Sequence, residues 1–187
     1  MGGGRAVRRG AVVRADALDR LTARGWDALV AHGVRTAVDL RNDDELGADV
    51  SPRPPAVRTV RCPLDGVEDR AFWDVWSVVP AFGTPEYYAA WLRRFPERAV
   101  AAVRAVAWAE PGGVAVHCGL GRDRTGLVTL LLLSLLGAES AVISDDHALS
   151  DPAAARPEAI ALAVDAAGVA LAGLSADDRR ALRARLL

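Results

Sequence analysis

Short apolar runs alternate with longer segments of helical periodicity along most of the chain. The runs predict strands at residues 11–14, 35–41, 57–64 and 114–117. The periodic segments predict helices at residues 18–32, 84–109 with an interruption near Pro96, 125–136, 139–149, 156–172 and 176–186. Strands that alternate with helices indicate an α/β fold, in which helices flank a central, largely parallel, twisted sheet.

The remaining segments predict connectors and a single domain. Residues 51–57 are rich in proline, residues 65–84 are irregular and aromatic, and residues 1–6 have the composition of a loose terminus. A length of 187 residues predicts one domain that spans residues 1–187.

Composition narrows the class of protein. Hydrophobic residues make up 51% and charged residues 25%, which is typical of a soluble globular protein. The net charge of −1 lacks the excess of positive charge that is typical of nucleic-acid-binding proteins. The apolar run 127–136 is about half of the ~20 residues that a span requires, so it predicts a buried helix and no stable membrane association. Two cysteines and no secretory signal favour a reducing cytoplasm.

The candidate chemistry lies in the stretch VAVHCGLGRDRTG, residues 114–126. It reads as the carboxyl end of a strand, a glycine-rich turn and the start of a helix, where α/β sheets place ligands. Amides of such a turn and of a helix N-terminus converge on an anion, and Gly119, Gly121 and Gly126 allow close approach of the backbone. Arg124 adds a forked donor that matches two phosphate oxygens. The turn therefore predicts a site for a tetrahedral oxyanion.

Cys118 lies at the floor of this predicted anion site. Donors that hold phosphate also stabilise a thiolate, which is the nucleophilic form of cysteine. A thiolate that faces a bound phosphoryl group predicts nucleophilic catalysis through phosphocysteine. The loop supplies the positive charge that a metal would otherwise provide, so neither a metal nor another cofactor is expected.

His117, Cys118, Arg124, Thr125 and Gly126 carry the signature of the cysteine-based protein tyrosine phosphatase superfamily. HCGLGRDRTG resembles the HCxxGKDRTG loop of bacterial tyrosine and lipid phosphatases, with Arg122 in place of the lysine. The segments VVRADAL (12–18), GVRTAVDLRNDDEL (33–46) and AVISDDHALS (141–150) are similar to that bacterial family. The resemblance implies a protein tyrosine phosphatase-like fold.

The resemblance also implies roles for the loop. His117 would orient the loop and help to keep the thiol ionised, and Thr125 would support departure of the thiolate or simply cap the next helix. Arg122 would add positive potential at the mouth of the site or face solvent. The substrate phosphate would be bound by the whole turn: Gly119, Leu120, Gly121, Arg122, Asp123 and Arg124.

The general acid is left open. Asp65 follows a strand at the start of the aromatic connector, which fits the movable acid loop of the family, but an Asp before Gly66 is also typical of a turn. Asp123, inside the loop, is the rival, and Asp69 is a third candidate.

Other polar and aromatic residues have structural alternatives. Asp39 and Arg41 end another strand, where an ion pair is favoured over a place in the site. Cys62 is interpreted as a core residue, with a reversible disulfide to Cys118 as the alternative. The aromatic residues of 72–91 are expected to be packing, with one or two left as walls for a substrate ring.

Two enzyme functions remain after this comparison of roles. The first is a protein tyrosine phosphatase, with dual-specificity and phosphoinositide variants open. The second is a phosphatase of a small metabolite such as a nucleotide or sugar phosphate. A non-catalytic phosphate-binding module is disfavoured because both Cys118 and Arg124 are present. The expected partner is a phosphorylated protein or a small phosphomonoester, and the oligomeric state is left open.

Overall fold

A computed structural model describes residues 6–152 and 155–187 of the chain. The sheet has four strands, all parallel, in the order β1-β4-β2-β3. Their bounds are Val12–Ala15 for β1, Val34–Asp39 for β2, Arg58–Arg61 for β3 and Gly113–His117 for β4. The four predicted strands and the parallel α/β architecture are confirmed. Of the terminus predicted to be loose, residues 1–5 lie outside the described residues.

Eight helices connect or cover the strands within the described ranges. They are α1 (Ala23–Ala31), α2 (Arg70–Trp76), α3 (Tyr88–Arg94), α4 (Pro96–Ala107), α5 (Asp123–Leu136), α6 (Ser140–Ala148), α7 (Pro157–Ala170) and α8 (Ala176–Leu186). Short 3-10 turns occupy Leu18–Arg20, Asp43–Glu45, Pro85–Tyr87 and Leu171–Gly173. No helix of the described residues is long and apolar enough to cross a membrane.

The predicted helix at 18–32 is wrong in its first turn. Leu18–Arg20 forms a separate 3-10 turn, and α1 begins after Thr22. The Thr22 side chain accepts a hydrogen bond from the amide of Gly25 at 3.2 Å and so caps α1. The hydrophobic periodicity runs through the turn because Leu18 and Trp26 both pack into the core, and this hides the cap.

The predicted irregular segment 65–84 is also corrected, because it contains α2. Asp69 is the N-cap of this helix, and its side chain accepts a hydrogen bond from the amide of Phe72 at 3.0 Å. The predicted interruption at Pro96 is confirmed: α3 ends at Arg94, and Pro96 opens α4 as its first residue.

The sheet separates two apolar clusters of unequal size. A small cluster joins Trp26 of α1 to Val34 and Ala115. A large cluster contains buried side chains of helices α3 to α8, and the predicted buried helix α5 contributes Leu127, Val128, Leu130, Leu131 and Leu132. Burial of α5 against both the sheet and its neighbouring helices fixes the position of its first turn, which lies directly after the end of β4.

The carboxyl ends of the four strands meet at one level of the sheet. Ala15 of β1 and Asp39 of β2 are both in register with His117 of β4. Asp39 is in turn in register with Arg61, the last residue of β3. The residues that follow all four strands therefore lie along the same edge of the sheet.

Candidate active site

The loop that follows β4 is fixed at its base by backbone hydrogen bonds from both neighbouring strands. The amide of Leu40 donates to the carbonyl of His117 at 2.9 Å, and the amide of Ala17 donates to the carbonyl of Gly119 at 3.2 Å. Gly121 has a φ of +68°, and a Cβ at this position would lie 2.6 Å from the carbonyl oxygen of Ala15. The turn therefore requires glycine at this position on two independent grounds.

Cys118 lies at the bottom of the loop with 2% of its surface exposed. The hydroxyl of Thr125 donates to its Sγ at 3.3 Å, in the first turn of α5. The unpaired amides of this first turn and the positive end of the helix dipole face the same region. Cys118 thus has one hydroxyl donor in place and a helix N-terminus beside it.

Arg124 lies at the same edge and is already bound to carboxylates. Its two terminal nitrogens donate to the two Oε atoms of Glu45, each at 2.5 Å, and Nη1 also lies 3.1 Å from Oδ2 of Asp65. Burial alone would lower the pKa of Arg124, but the hydrogen bond to Glu45 and the charge of Asp65 raise it above its ordinary value. The guanidinium therefore holds two oxygens in the forked geometry that also fits a phosphate.

Glu45 is a member of the site that the sequence reasoning missed. It belongs to a capping box, in which the amide of Asn42 donates to Oε2 of Glu45 at 2.8 Å. The Arg124 guanidinium holds the pKa of Glu45 below its ordinary value. The sequence N-D-D-E at 42–45 has the capping-box spacing, which was the available signal for a fixed glutamate at this edge.

Asp65 lies at the same edge of the sheet as Arg124 and contacts it. Its Oδ2 accepts hydrogen bonds from Asn42 at 2.8 Å and from Arg124 at 3.1 Å. Its backbone carbonyl accepts from the indole nitrogen of Trp73 at 3.1 Å and lies 3.4 Å from that of Trp91. Burial raises the pKa of Asp65, and the positive charge of Arg124 opposes that shift. The aromatic connector therefore holds this carboxylate against the arginine.

Asp123 has a different environment, although it also lies in the site. The Tyr87 hydroxyl donates to its Oδ2 at 2.8 Å, while its buried Oδ1 has no hydrogen-bond partner among the described residues. Burial raises the pKa of Asp123 to about 6, and the hydrogen bond from Tyr87 opposes that rise. The Tyr88 hydroxyl donates to the backbone carbonyl of Asp123 at 2.8 Å. The sequence reasoning placed both tyrosines in general packing and missed these contacts.

His117 is fully buried at the end of β4. Its Nε2 lies 3.8 Å from Oδ2 of Asp39, and neither ring nitrogen has a hydrogen-bond partner within the described part of the chain. Burial lowers the pKa of His117, which favours the neutral ring. The backbone carbonyl of His117 accepts the hydrogen bond from Leu40 that holds the base of the loop.

Asp39 and Arg41 form the ion pair that was predicted for them. Nε and Nη2 of Arg41 each lie 3.0 Å from an oxygen of Asp39, and Nη1 donates to Asp19 at 2.5 Å. Arg61 adds a contact to Asp39 at 2.8 Å. Arg41 and Asp39 are 3% and 2% exposed, so their charges are buried and compensate each other inside the protein. Because the contacts join residues at the ends of β1, β2 and β3, they also hold the loops after these strands together.

The other expected residues lie at the margin of the site or away from it. Arg122 pairs with Asp151 at 3.1 Å. Leu120 has 73% of its surface exposed. Asp69, the third candidate acid, caps α2 and pairs with Arg94 at 2.5 Å. The hydrogen bond from Arg94 lowers the pKa of Asp69, so this carboxylate acts as a helix cap and an ion-pair partner. Cys62 is a free, half-buried thiol that packs against the large core cluster, in line with its interpretation as a core residue.

A cysteine in the loop between a parallel strand and a buried helix, with an arginine six positions on, fits the resemblance found in the sequence. The chain belongs to the tyrosine phosphatase family, whose sequence model matches residues 1–184. Over 147 residues the chain is 33% identical to a curated protein of Nostoc commune named tyrosine-protein phosphatase. That match covers 78% of this chain and 50% of the relative, so the chain spans about half the length of the curated protein it matches.

Proposed function

We propose that this protein is a cysteine-dependent phosphatase that hydrolyses phosphomonoesters through a phosphocysteine intermediate, with phosphotyrosine in proteins as its first substrate. The observation that carries the proposal is the placement of Cys118 and Arg124 on one loop, with the arginine fork already holding two carboxylate oxygens of Glu45. A phosphate group presents the same pair of oxygens with greater negative charge.

In the first step Sγ of Cys118 attacks phosphorus, the S–P bond forms and the bond from phosphorus to the ester oxygen breaks. Arg124 and the amides of residues 119–124 hold the non-bridging oxygens, where negative charge must be stabilised in the transition state. The carboxylate of Glu45 contacts two terminal nitrogens of Arg124, so it competes with phosphate oxygens for those donors.

The leaving oxygen needs a proton, and we assign the donor as Asp123. Its pKa of about 6 leaves a protonated fraction near neutral pH, and its Oδ1 can hold the proton without loss of an existing hydrogen bond. Burial also raises the pKa of Asp65, but its Oδ2 contacts Arg124 directly, and the arginine charge opposes that rise and pairs with the carboxylate. Asp65 is therefore assigned to holding Arg124, and not to proton transfer.

In the second step water attacks the phosphocysteine, the S–P bond breaks and inorganic phosphate leaves. Asp123, ionised after the first step, accepts the proton of the attacking water. The Thr125 hydroxyl, 3.3 Å from Sγ, donates a hydrogen bond to the departing thiolate. The role of Thr125 uses a contact that is already present in the loop.

The preference for a phenolic substrate rests on the aromatic connector. Phe82 is 49% exposed and lies 6.0 Å, between ring centroids, from both Trp73 and Tyr87. The position of Gly83, next along the chain, lies beside the guanidinium of Arg122. An exposed ring at the margin of the phosphate loop can stack on a phosphotyrosine side chain.

The test is a turnover screen without added metal, with wild type, Cys118→Ser, Arg124→Ala and, as a matched control, Cys62→Ser. The panel holds a phosphotyrosine peptide, p-nitrophenyl phosphate, a phosphoinositide and a nucleoside monophosphate. We expect Cys118→Ser to bind vanadate but not turn over, Arg124→Ala to lose both properties, and Cys62→Ser to behave as wild type. Turnover by Cys118→Ser at the wild-type rate contradicts the mechanism, and best turnover of the nucleotide contradicts the assigned substrate.

A further inference from the structure

A cavity of about 630 Å³ lies at the end of the sheet opposite to Cys118. Its lining includes Ala11, Gly33 and Gly113, which lie at or beside the amino ends of β1, β2 and β4. The volume is within the range of about 300–1,000 Å³ that is usual for small-molecule sites. Small residues form much of the wall, which leaves room for a ligand between the side chains that project from the rim.

The charged residues of this cavity are all basic. Arg8, Arg9 and Arg185 line it together with His32, and no acidic residue occurs in the described lining. Glu110 is the nearby acid, because its backbone carbonyl lies 3.2 Å from a guanidinium nitrogen of Arg185, but its carboxylate pairs with Arg58 at 3.1 Å. The described lining therefore gathers three guanidinium charges and contains no carboxylate.

The hydrogen bonds that Arg8 and Arg185 donate to described residues go to backbone carbonyls. Arg185 donates to the carbonyl of Gly112 at 2.7 Å and also to that of Ala109. Arg8 donates to the backbone carbonyl of Arg185 itself at 2.5 Å. Burial and the neighbouring charge of Arg8 lower the pKa of Arg185. Two guanidinium groups are thus held close together, and their positive charges repel each other. An anion that binds between them relieves this electrostatic repulsion.

We propose that this cavity, formed by Arg8, Arg9 and Arg185 at the amino end of the sheet, binds a phosphate-bearing anion with more than one negative charge. The forked guanidinium donors match phosphate oxygens, and several positive charges favour a multivalent anion over a single carboxylate. The ligand is either a free small molecule or the phosphate headgroup of an acidic lipid. The proposal does not depend on the function assigned to Cys118, because the two sites lie at opposite ends of the strands.

Arg9 is the residue to change, because it is exposed and makes no hydrogen bond or ion pair with a described residue, whereas Arg185 holds the turn before β4. Arg93, exposed on α3 and equally without such contacts in the described ranges, is the matched control. The probe is sodium pyrophosphate, measured by isothermal titration calorimetry on wild type, Arg9→Glu and Arg93→Glu.

Wild type and Arg93→Glu are expected to bind pyrophosphate at two sites, one on the catalytic loop and one in this cavity. Arg9→Glu is expected to weaken one of the two sites by about tenfold or more, with unchanged turnover of p-nitrophenyl phosphate. Flotation with phosphatidylcholine vesicles, with and without phosphatidic acid, distinguishes the source of the phosphate.

Arg9-dependent binding in either arm supports the site, and the arm that responds identifies a free or a lipid phosphate. Equal behaviour of Arg9→Glu and Arg93→Glu in both arms overturns it. Failure of the catalytic proposal has a separate readout, since it would appear as turnover that is independent of Cys118.

Discussion

Replacing Tyr87 by Phe removes one hydrogen bond from the carboxyl group of Asp123 and leaves the aromatic ring in place. The phenol donates to Oδ2 at 2.8 Å, so it stabilises the ionised carboxylate more than the protonated acid. Burial raises the pKa of Tyr87 well above its ordinary value, so its hydroxyl keeps its proton throughout the working range. The substitution must therefore shift the pKa of Asp123 upward.

The size of the shift follows from the strength of the lost contact. A hydrogen bond to a charged acceptor contributes about 1.5 kcal/mol or more, and one pKa unit corresponds to about 1.4 kcal/mol. The pKa of Asp123 should therefore rise from about 6 by about one unit. If Asp123 donates the proton, the alkaline limb of kcat/KM moves up by the same amount, and activity near neutral pH rises up to about fivefold.

The assay is kcat/KM for a phosphotyrosine peptide across the range from about pH 5 to about pH 9. Tyr88→Phe is the comparison variant, because its hydroxyl donates to the backbone carbonyl of Asp123 at 2.8 Å and lowers the pKa of Asp123 less than the Tyr87 hydroxyl does. We expect Tyr88→Phe to move the alkaline limb up by less than Tyr87→Phe does. An unmoved limb in Tyr87→Phe, together with loss of that limb in Asp65→Asn, would refute the assignment and make Asp65 the acid.

Three further substitutions test other parts of the site and core. Glu45→Gln removes the charge that competes for Arg124, so the inhibition constant of inorganic phosphate should fall about threefold to fivefold, the size expected of a partly exposed ion pair. Gly121→Ala introduces a Cβ 2.6 Å from a backbone oxygen and should abolish vanadate binding, measured by calorimetry. Leu131→Ala, at a fully buried position of α5, should lower the free energy of unfolding in urea by about 2–5 kcal/mol.

Each of the three has a control in the same chain. Glu86→Gln breaks an ion pair with Arg156 on the surface and should leave phosphate inhibition unchanged. Gly137→Ala shares the positive φ but meets no atom within 4 Å, so it should keep vanadate binding. Leu149→Ala, at a position that is 86% exposed, should change stability little. If a control variant changes the measured quantity as much as its test variant does, the structural contact assigned to that test variant does not explain the effect.

The parts of the fold that could be predicted are those determined by residues close together in the sequence. The buried strand before Cys118 and the glycine-rich turn lie within one short stretch of chain, so spacing alone identified them. The helix α2 was missed because residues 65–84 were interpreted as an irregular connector, although Phe72, Trp73 and Trp76 have the spacing of one helix face and Asp69 is an N-cap residue. Those rings pack against each other and against Phe95, which is a tertiary arrangement.

The missed members of the site are joined to it across long stretches of sequence. Glu45 and Arg124 are 79 positions apart, and Tyr87 and Asp123 are 36 positions apart. Their pairing depends on the strand order of the sheet, which a single sequence does not reveal. The local capping box at Asn42 fixed the conformation of Glu45, but only the fold shows what its side chain meets.

The position of β4 within the sheet has a consequence for the order in which the chain can fold. β4 is the last strand in sequence, yet it lies between β1 and β2, and β1 pairs with β4 alone among the described strands. During synthesis β1 must wait for about a hundred further residues before its partner emerges, so its pairing is a late, non-local event. The strand that completes the sheet, β4, is therefore also the strand that leads into Cys118. A nascent chain cannot form the phosphate-binding loop until β4 has paired with its neighbouring strands.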